Sequence, residues 1–191
     1  MNHSIHGTVP NLINLALLVC FLSVSSVVTS ARGNETSEHL EYLNGGYYLL
    51  HHLCEEEAEL PLLLDIKTAP PEIEKYADHI SRTAKESIAA LDRMQESDAG
   101  LKFDKNPLPP IERDVRKSIQ ADKQHQLLFG TTGAQFVRVL LVSQVEASGY
   151  ALNLAKVLSQ QEKDPARVKT LRHVSVEWRA IHQETVRLLG N

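Results

Sequence analysis

The stretch that decides the fold is residues 71–95, which reads PEIEKYADHISRTAKESIAALDRMQ. Small and apolar residues recur in it at alternating spacings of four and three, and they are Ile73, Ala77, Ile80, Ala84, Ser87, Leu91 and Met94. This spacing places them on one face of an α-helix, because a helical turn takes 3.6 residues. The pattern therefore predicts a helix over residues 71–95 that buries this face against other helices.

The chain on either side of this stretch carries the same helical spacing. It predicts four further helices, at 37–67, 109–129, 134–160 and 165–189. The first of them should be interrupted at Pro61. No run of alternating β-branched residues predicts a strand. We therefore expect an all-α fold, an up-down helical bundle of four to five helices. If helices 109–129 and 134–160 act as one broken helix, the domain is a four-helix bundle with one split member.

The first thirty residues differ from the rest because they contain no Lys, Arg, Asp or Glu. Residues 12–28 form an apolar run of signal-peptide length, and small residues follow it. We predict a signal peptide at 1–30, cleaved after Ser30 or Ala31, a linker at 31–38 and a helical-bundle domain at 39–191. An uncleaved membrane anchor is the alternative. The expected location is periplasmic or secreted, and after cleavage Cys54 is the only cysteine.

The charge balance excludes one class of partner. The chain has 24 acidic and 20 basic residues and a net charge of -4, so it lacks the basic excess that nucleic-acid binding requires. Neither a Gly-x-Ser-x-Gly nucleophile motif nor a Gly-rich phosphate loop is present. Whether the protein is an enzyme stays open. The expected partners are a second copy of the chain or an envelope protein, and a membrane only if the N-terminal segment is retained.

Several polar residues occupy positions that the helical pattern assigns to the core. They are Glu56, Asp122, His125 and His182, and His79 lies at the edge of the seam of its helix. Burying a charge is costly unless it is paired or bound to a metal. Asp122 and His125 are three residues apart, so they share one face of the predicted helix 109–129, with Ile111, Val115, Ser118 and Phe129.

These residues predict a metal site inside the bundle. Carboxylate dimetal bundles use a Glu from each of two helices and Glu-x-x-His from each of the other two, and Asp122-x-x-His125 is an Asp-substituted version of that motif. The mixture of imidazole and carboxylate suits iron, manganese, zinc or copper. The alternatives are a buried, hydrogen-bonded polar layer without metal, or a helix phase that is wrong by one residue.

The arrangement of a Glu-rich helix followed by PPEIEKYADHISRTAKESIAAL is similar to exported bacterial ferritin-like domains of unknown function. The resemblance extends over residues 49–189 and includes the Asp78-His79 pair and His182. It implies a bundle fold, an extracytoplasmic location and a link to metal. That family commonly has a histidine after a Gln-Val pair, where this chain has Ala147. Glu146 or the Asp122/His125 pair would replace it if metal binds.

Two functions follow. The first is an exported ferritin-like bundle that binds a transition metal through Glu56, His79, Asp122, His125, Glu146 and His182. The second is a non-catalytic envelope bundle that works through protein contacts without metal. Part of its oligomer interface would be a second apolar stripe on helix 134–160, formed by Val137, Leu141, Val145 and Leu152.

Overall fold

The computed structural model describes residues 35–190, and their side chains from residue 37 onward. The helices are α1 (Glu35–Ala58), α2 (Leu60–Ile66), α3 (Pro71–Ser97), α4 (Pro110–His125), α5 (Gly133–Gln161) and α6 (Pro165–Leu189), with one π turn at Gln126–Gly130 after α4. No strand occurs within these described residues. The all-helical prediction is confirmed, whereas the predicted signal peptide lies outside the described residues. Helix α1 begins inside the segment that was predicted to be a linker.

Four of the helices form the core of a bundle. Helix α1 packs on α3 and α5, and α6 packs on the same two helices. Tyr47 in the middle of α1 bonds Glu162 after the end of α5, and Glu57 near the end of α1 lies beside Gln144 of α5. Tyr76 near the start of α3 bonds Thr185 near the end of α6. Neighbouring core helices therefore run antiparallel, while the diagonal pairs α1/α6 and α3/α5 each run in one direction.

Helix α4 is the connection that this arrangement requires. Because α3 and α5 run in the same direction, the chain must return along the whole bundle between them, and α4 makes that return. The turn into α5 passes through Gly133, whose φ of 56° lies in the left-handed region that favours glycine. The interpretation of 109–129 and 134–160 as one broken helix is therefore wrong, because the chain reverses direction between them.

The predicted seam of α3 is buried along its full length, from Ile73 to Met94. It packs against α6, where Trp178 is fully buried and donates its indole N–H to Ser87 Oγ at 3.2 Å. Helix α6 begins after an N-cap, because Asp164 Oδ1 accepts a bond of 2.8 Å from the Arg167 backbone N–H. The prediction from residues 71–95 is thus confirmed.

The predicted core position of Glu56 on α1 is confirmed, because Leu53, Glu56 and Leu60 are all buried. Helix α1 ends before Glu59, and Pro61 lies in the first turn of α2, so the predicted interruption is confirmed. The buried series with spacings of four and three is Leu43, Tyr47, Leu50, Cys54 and Glu57. Glu57 is therefore the last residue of this buried series. Glu56 lies beside it, where it is also buried.

The predicted core face of α4 is wrong, because it points away from the bundle. All of its members are exposed, and they are Ile111, Val115, Ser118, Asp122, His125 and Phe129. No residue of α4 is buried, and the residue that anchors this connection is Leu127 in the π turn, which is 0% exposed. The face toward the bundle instead carries Arg116, Gln120 and Lys123. Helix α4 therefore lies on the core through polar side chains.

A buried ion pair holds together the end of the bundle at which α3 and α5 end and α6 begins. Arg167 donates to Glu162 Oε1 at 3.0 Å and to Asp98 Oδ2 at 2.5 Å, and Tyr47 donates to Glu162 Oε2 at 2.7 Å. Burial alone would raise the pKa of Glu162, but hydrogen bonds from Arg167, the Asp164 N–H and Tyr47 outweigh it and lower the pKa to about 2. This network joins α1, α3, α5 and α6 at one point.

We expect Leu127→Ala to destabilise the protein by about 2–5 kcal/mol, because it removes a fully buried side chain. Ile111→Ala is the matched control on the outer face of α4, where Ile111 is 72% exposed, and we expect a change within about 0.5 kcal/mol. Urea unfolding followed by circular dichroism measures both variants. Equal destabilisation by the two substitutions would contradict the observed orientation of α4.

Candidate functional site

A large cleft lies between α4 and the core because the polar inner face of α4 does not pack tightly. Its volume is about 840 Å³, within the range of natural ligand pockets. We call this space the α4 cleft. It is bounded by residues 113–120 of α4, residues 48–62 of α1 and α2, and Lys85 and Ile88 of α3, with Leu108 at one end.

Glu56 is the buried polar group of the α4 cleft. Its residue is only 7% exposed, and its Oε2 atom has no hydrogen-bond partner among the described residues. Its other carboxyl oxygen, Oε1, lies 3.2 Å from Nε2 of His52. Burial, and then the negative charges of Glu57, Glu55 and Glu59, raise the pKa of Glu56 to about 9.

Glu56 is therefore a neutral carboxylic acid at pH 7. A protonated carboxyl has one O–H donor, and an N–H of His52 suits the unprotonated oxygen Oε1. The proton then belongs on Oε2, which is buried beside the cleft without an acceptor among the described residues. An unmade hydrogen bond of a buried group is costly, so this group is suited to a ligand that accepts a proton.

Basic side chains line the opposite wall of the α4 cleft. Arg113 donates to the Leu108 carbonyl at 3.2 Å, and Arg116 donates to Glu112 Oε1 at 2.7 Å. Lys117 from α4 and Lys85 from α3 make no hydrogen bond or ion pair with any other described residue. With Glu56 neutral, these four cations outnumber the two remaining carboxylates of the lining, Glu55 and Glu59.

The same cleft has an apolar part. Leu53, Leu62, Ile88 and Leu108 contribute to its lining, and Leu62 is 44% exposed although it is a large aliphatic residue. A cleft with an apolar wall and a few convergent polar groups is the usual composition of a small-molecule site.

A second polar group lies deeper, at the centre of the bundle. Glu57 is 2% exposed, and neither of its carboxyl oxygens has a hydrogen bond of good geometry. Burial raises its pKa to about 8, while the amide of Gln144 and the charge of Lys123 act in the opposite direction. Gln144 on α5 is itself fully buried. Glu57 is therefore held largely neutral at pH 7 by its surroundings.

Cys54, one turn from Glu57, is an inert thiol. It is 0% exposed, and burial, followed by the charge of Glu57, raises its pKa far above the ordinary range. A cysteine needs its thiolate to act as a nucleophile or metal ligand, and this environment suppresses the thiolate.

The six residues predicted to bind metal lie in different parts of the fold. Glu56 lies in the α4 cleft. His79 on α3 contacts Glu184 on α6, with 2.8 Å between Nδ1 and Oε2. His182 on α6 lies 3.1 Å from Ser148 Oγ on α5, measured from Nδ1. Glu146 accepts a bond of 2.5 Å from Lys123.

The remaining two, Asp122 and His125, are exposed on the outer face of α4, where the His125 ring lies 5.6 Å from the Phe129 ring. Across residues 37–190, no three His, Cys, Asp or Glu side chains converge in a way that could hold a metal ion. The structure does not bring the predicted set together, because α4 turns Asp122 and His125 outward while α5 and α6 engage His182 elsewhere.

The interior also departs from the carboxylate dimetal pattern. That pattern needs acidic or imidazole ligands from four helices. Here the polar residues at the level of Glu57 are Tyr76 on α3, Gln144 on α5 and Thr185 on α6. Tyr76 and Thr185 bond each other, so they are satisfied without a metal. These residues do not fit a dimetal centre.

Sequence reasoning missed Glu57, Lys85 and Lys117. A signal for Glu57 was present in the spacing Leu43, Tyr47, Leu50, Cys54 and Glu57, which continues the seam of α1. No comparable signal existed for the two lysines, because their importance depends on the cavity that α4 leaves open. Sequence spacing does not encode that cavity.

None of the described helices is long and apolar enough to cross a membrane.

We expect the double variant Glu56→Gln, Glu57→Gln to remove most of the pH dependence of stability between pH 5 and pH 8. Both pKa values are raised in the folded state, from 4.5 to about 9 and about 8, so wild-type stability falls as pH rises through this window. Each group changes the free energy of unfolding by up to about 1.4 kcal/mol per pH unit. Glu162 has a lowered pKa and acts only below about pH 4.5, outside the window.

Urea midpoints at the two pH values measure this slope. Glu74→Gln, which neutralises an exposed glutamate on α3, is the control and should keep the wild-type slope. A wild-type protein at least as stable at pH 8 as at pH 5 would show that Glu56 and Glu57 do not hold their protons.

Comparison of this chain with family models, curated proteins and solved structures found no match in any of the three. The resemblance to exported ferritin-like domains therefore stays a prediction.

Proposed function

We propose that this protein is an exported, ferritin-like helical bundle whose role is to bind a small organic molecule in the α4 cleft. The apolar N-terminal run supports export. The core topology supports the ferritin-like assignment, since antiparallel neighbours with one long crossover between the second and third core helices are typical of ferritin-like folds.

The observation that carries the proposal is the Oε2 atom of Glu56. It is buried, it has no partner in the described part of the chain, and its residue lines a cleft of about 840 Å³. Buried polar atoms in native proteins nearly always have a hydrogen-bond partner. A molecule that fills the α4 cleft would supply one and would also cover the apolar wall. This reading develops the non-catalytic function, with a small molecule in place of an envelope protein.

A transition metal is the second candidate. It is favoured by two adjacent buried carboxyls, Glu56 and Glu57, because three of their four oxygens lack a hydrogen-bond partner among the described residues and a cation could displace their protons. The other predicted ligands lie in separate parts of the fold, which counts against a metal site. Iron, manganese, zinc and copper remain the candidate ions.

The test is a thermal-shift panel on the mature protein with small carboxylates, amines, sugars, peptides and the four metal ions. We expect at least one organic class to raise the melting temperature of the wild type. Gln120→Trp, which places an indole in the cleft from α4, should abolish that rise. Ala121→Trp adds the same indole on the exposed side of α4 and should preserve it.

Two results would overturn the proposal: no organic class stabilises the wild type, or the stabilisation survives in Gln120→Trp. A rise with metal ions alone, together with a transition metal found by elemental analysis of the native protein and lost in Glu57→Gln, would favour the second candidate instead.

A further inference from the structure

We propose that the α4 cleft takes a linear organic carboxylate with an apolar tail, of the kind represented by a medium-chain fatty acid. This assignment rests on the proposed function, because it names the chemical class of the molecule that the cleft binds.

The head group follows from the donors that are left unused. The Oε2–H of Glu56 can donate to one carboxylate oxygen, and an O–H donor to an ionised acceptor makes a strong, short bond. Lys85 and Lys117 each have a free ammonium with which to balance the ligand's charge. Arg113 donates through one guanidinium nitrogen to the Leu108 carbonyl, and Arg116 donates its Nε–H to Glu112, so each is held in part by the chain itself.

The negative charge of the ligand follows from the same groups. An amine would meet lysines and a neutral acid in the cleft, so it would gain no counter-charge from Glu56. An alternative without a ligand is that the basic side chains of the cleft only balance the negative charges of Glu55 and Glu59 through the solvent between them. That arrangement would use the charges of the lysines, but it would leave the proton of Glu56 without an acceptor.

The tail follows from the apolar wall. Leu53, Leu62, Ile88 and Leu108 line the cleft beside the polar groups. The part of α1 that bounds it, residues 48–58, extends over about 15 Å of helix. This length accommodates an extended chain of ten carbons, whereas a short anion such as acetate would leave the wall uncovered.

The titratable and charged groups that face Glu56 come from four helices. They are His52, Glu55 and Glu57 of α1, Glu59 at the start of α2, Lys85 of α3, and Arg113, Arg116 and Lys117 of α4. Glu56 loses its proton as pH rises through about 9, and its carboxylate would then repel the ligand. Affinity should therefore fall from pH 7.5 to pH 10. Glu56→Gln keeps an N–H donor but does not titrate, so it isolates this contribution from that of the lysines.

The experiment is isothermal titration of the mature protein with sodium decanoate at pH 7.5, with decanol, decylamine and acetate as matched probes. We expect decanoate to bind at one site, and each of the other probes to bind at least about tenfold more weakly. Lys85→Met and Glu56→Leu should each weaken decanoate binding by about tenfold. Lys75→Met, an exposed lysine of α3 outside the cleft, should not change it.

At pH 10, decanoate binding to the wild type should weaken by a larger factor than binding to Glu56→Gln. Circular dichroism confirms that each variant is folded, and Glu56→Gln provides the readout if Glu56→Leu is not.

The assignment is overturned if decanol or decylamine binds as tightly as decanoate, if Lys85→Met behaves like Lys75→Met, or if the two pH responses are equal. If another organic class stabilises the protein and Gln120→Trp abolishes that effect, only the carboxylate assignment fails. If no class does so, the proposed function fails with it.

Discussion

Helix α4 turns a charged face toward the bundle, and the functional geometry of this protein depends on that constraint. The parallel directions of α3 and α5 require a long return, and α4 makes it without an apolar seam of its own. A helix with a polar inner face cannot close onto an apolar core, because desolvating its charges would be costly. Leu127 fixes its end, and the rest of the helix leaves the α4 cleft open.

The acidic residues at the end of α1 use this open space differently. Glu57 lies in the seam, and its carboxyl oxygens have no hydrogen bond to a neighbouring helix and no access to solvent. It is therefore held largely neutral, at some cost in stability. Glu56, the preceding residue, lines the α4 cleft and keeps a proton that no described group accepts. Proteins commonly retain such costly groups at functional sites. The stability given up by burying Glu56 is consistent with a role in binding.

The predictable part of the fold was the part fixed by local periodicity. Helix α3 has one unbroken seam flanked by charges, so its boundaries and buried face could be predicted from the sequence. Helix α1 has two neighbouring buried stripes, and the predicted stripe with Leu53, Glu56 and Leu60 did not reveal that Glu57 is buried on the other. The outer face of α4 looked like a core face because Ile111, Val115 and Phe129 share it, although tertiary packing leaves them exposed. The site itself could not be predicted, since it is a space between helices whose directions are set by long-range packing.

The most direct test of this account is the carboxyl-carbon NMR signal of Glu56, assigned through Glu56→Gln and followed from pH 4 to pH 11 with and without decanoate. The account predicts a titration midpoint near pH 9 in the free protein, moved higher by decanoate because an anion favours the protonated acid. A midpoint near 4.5, or one that decanoate leaves unchanged, would contradict the claim that Glu56 offers its proton to a ligand in the α4 cleft.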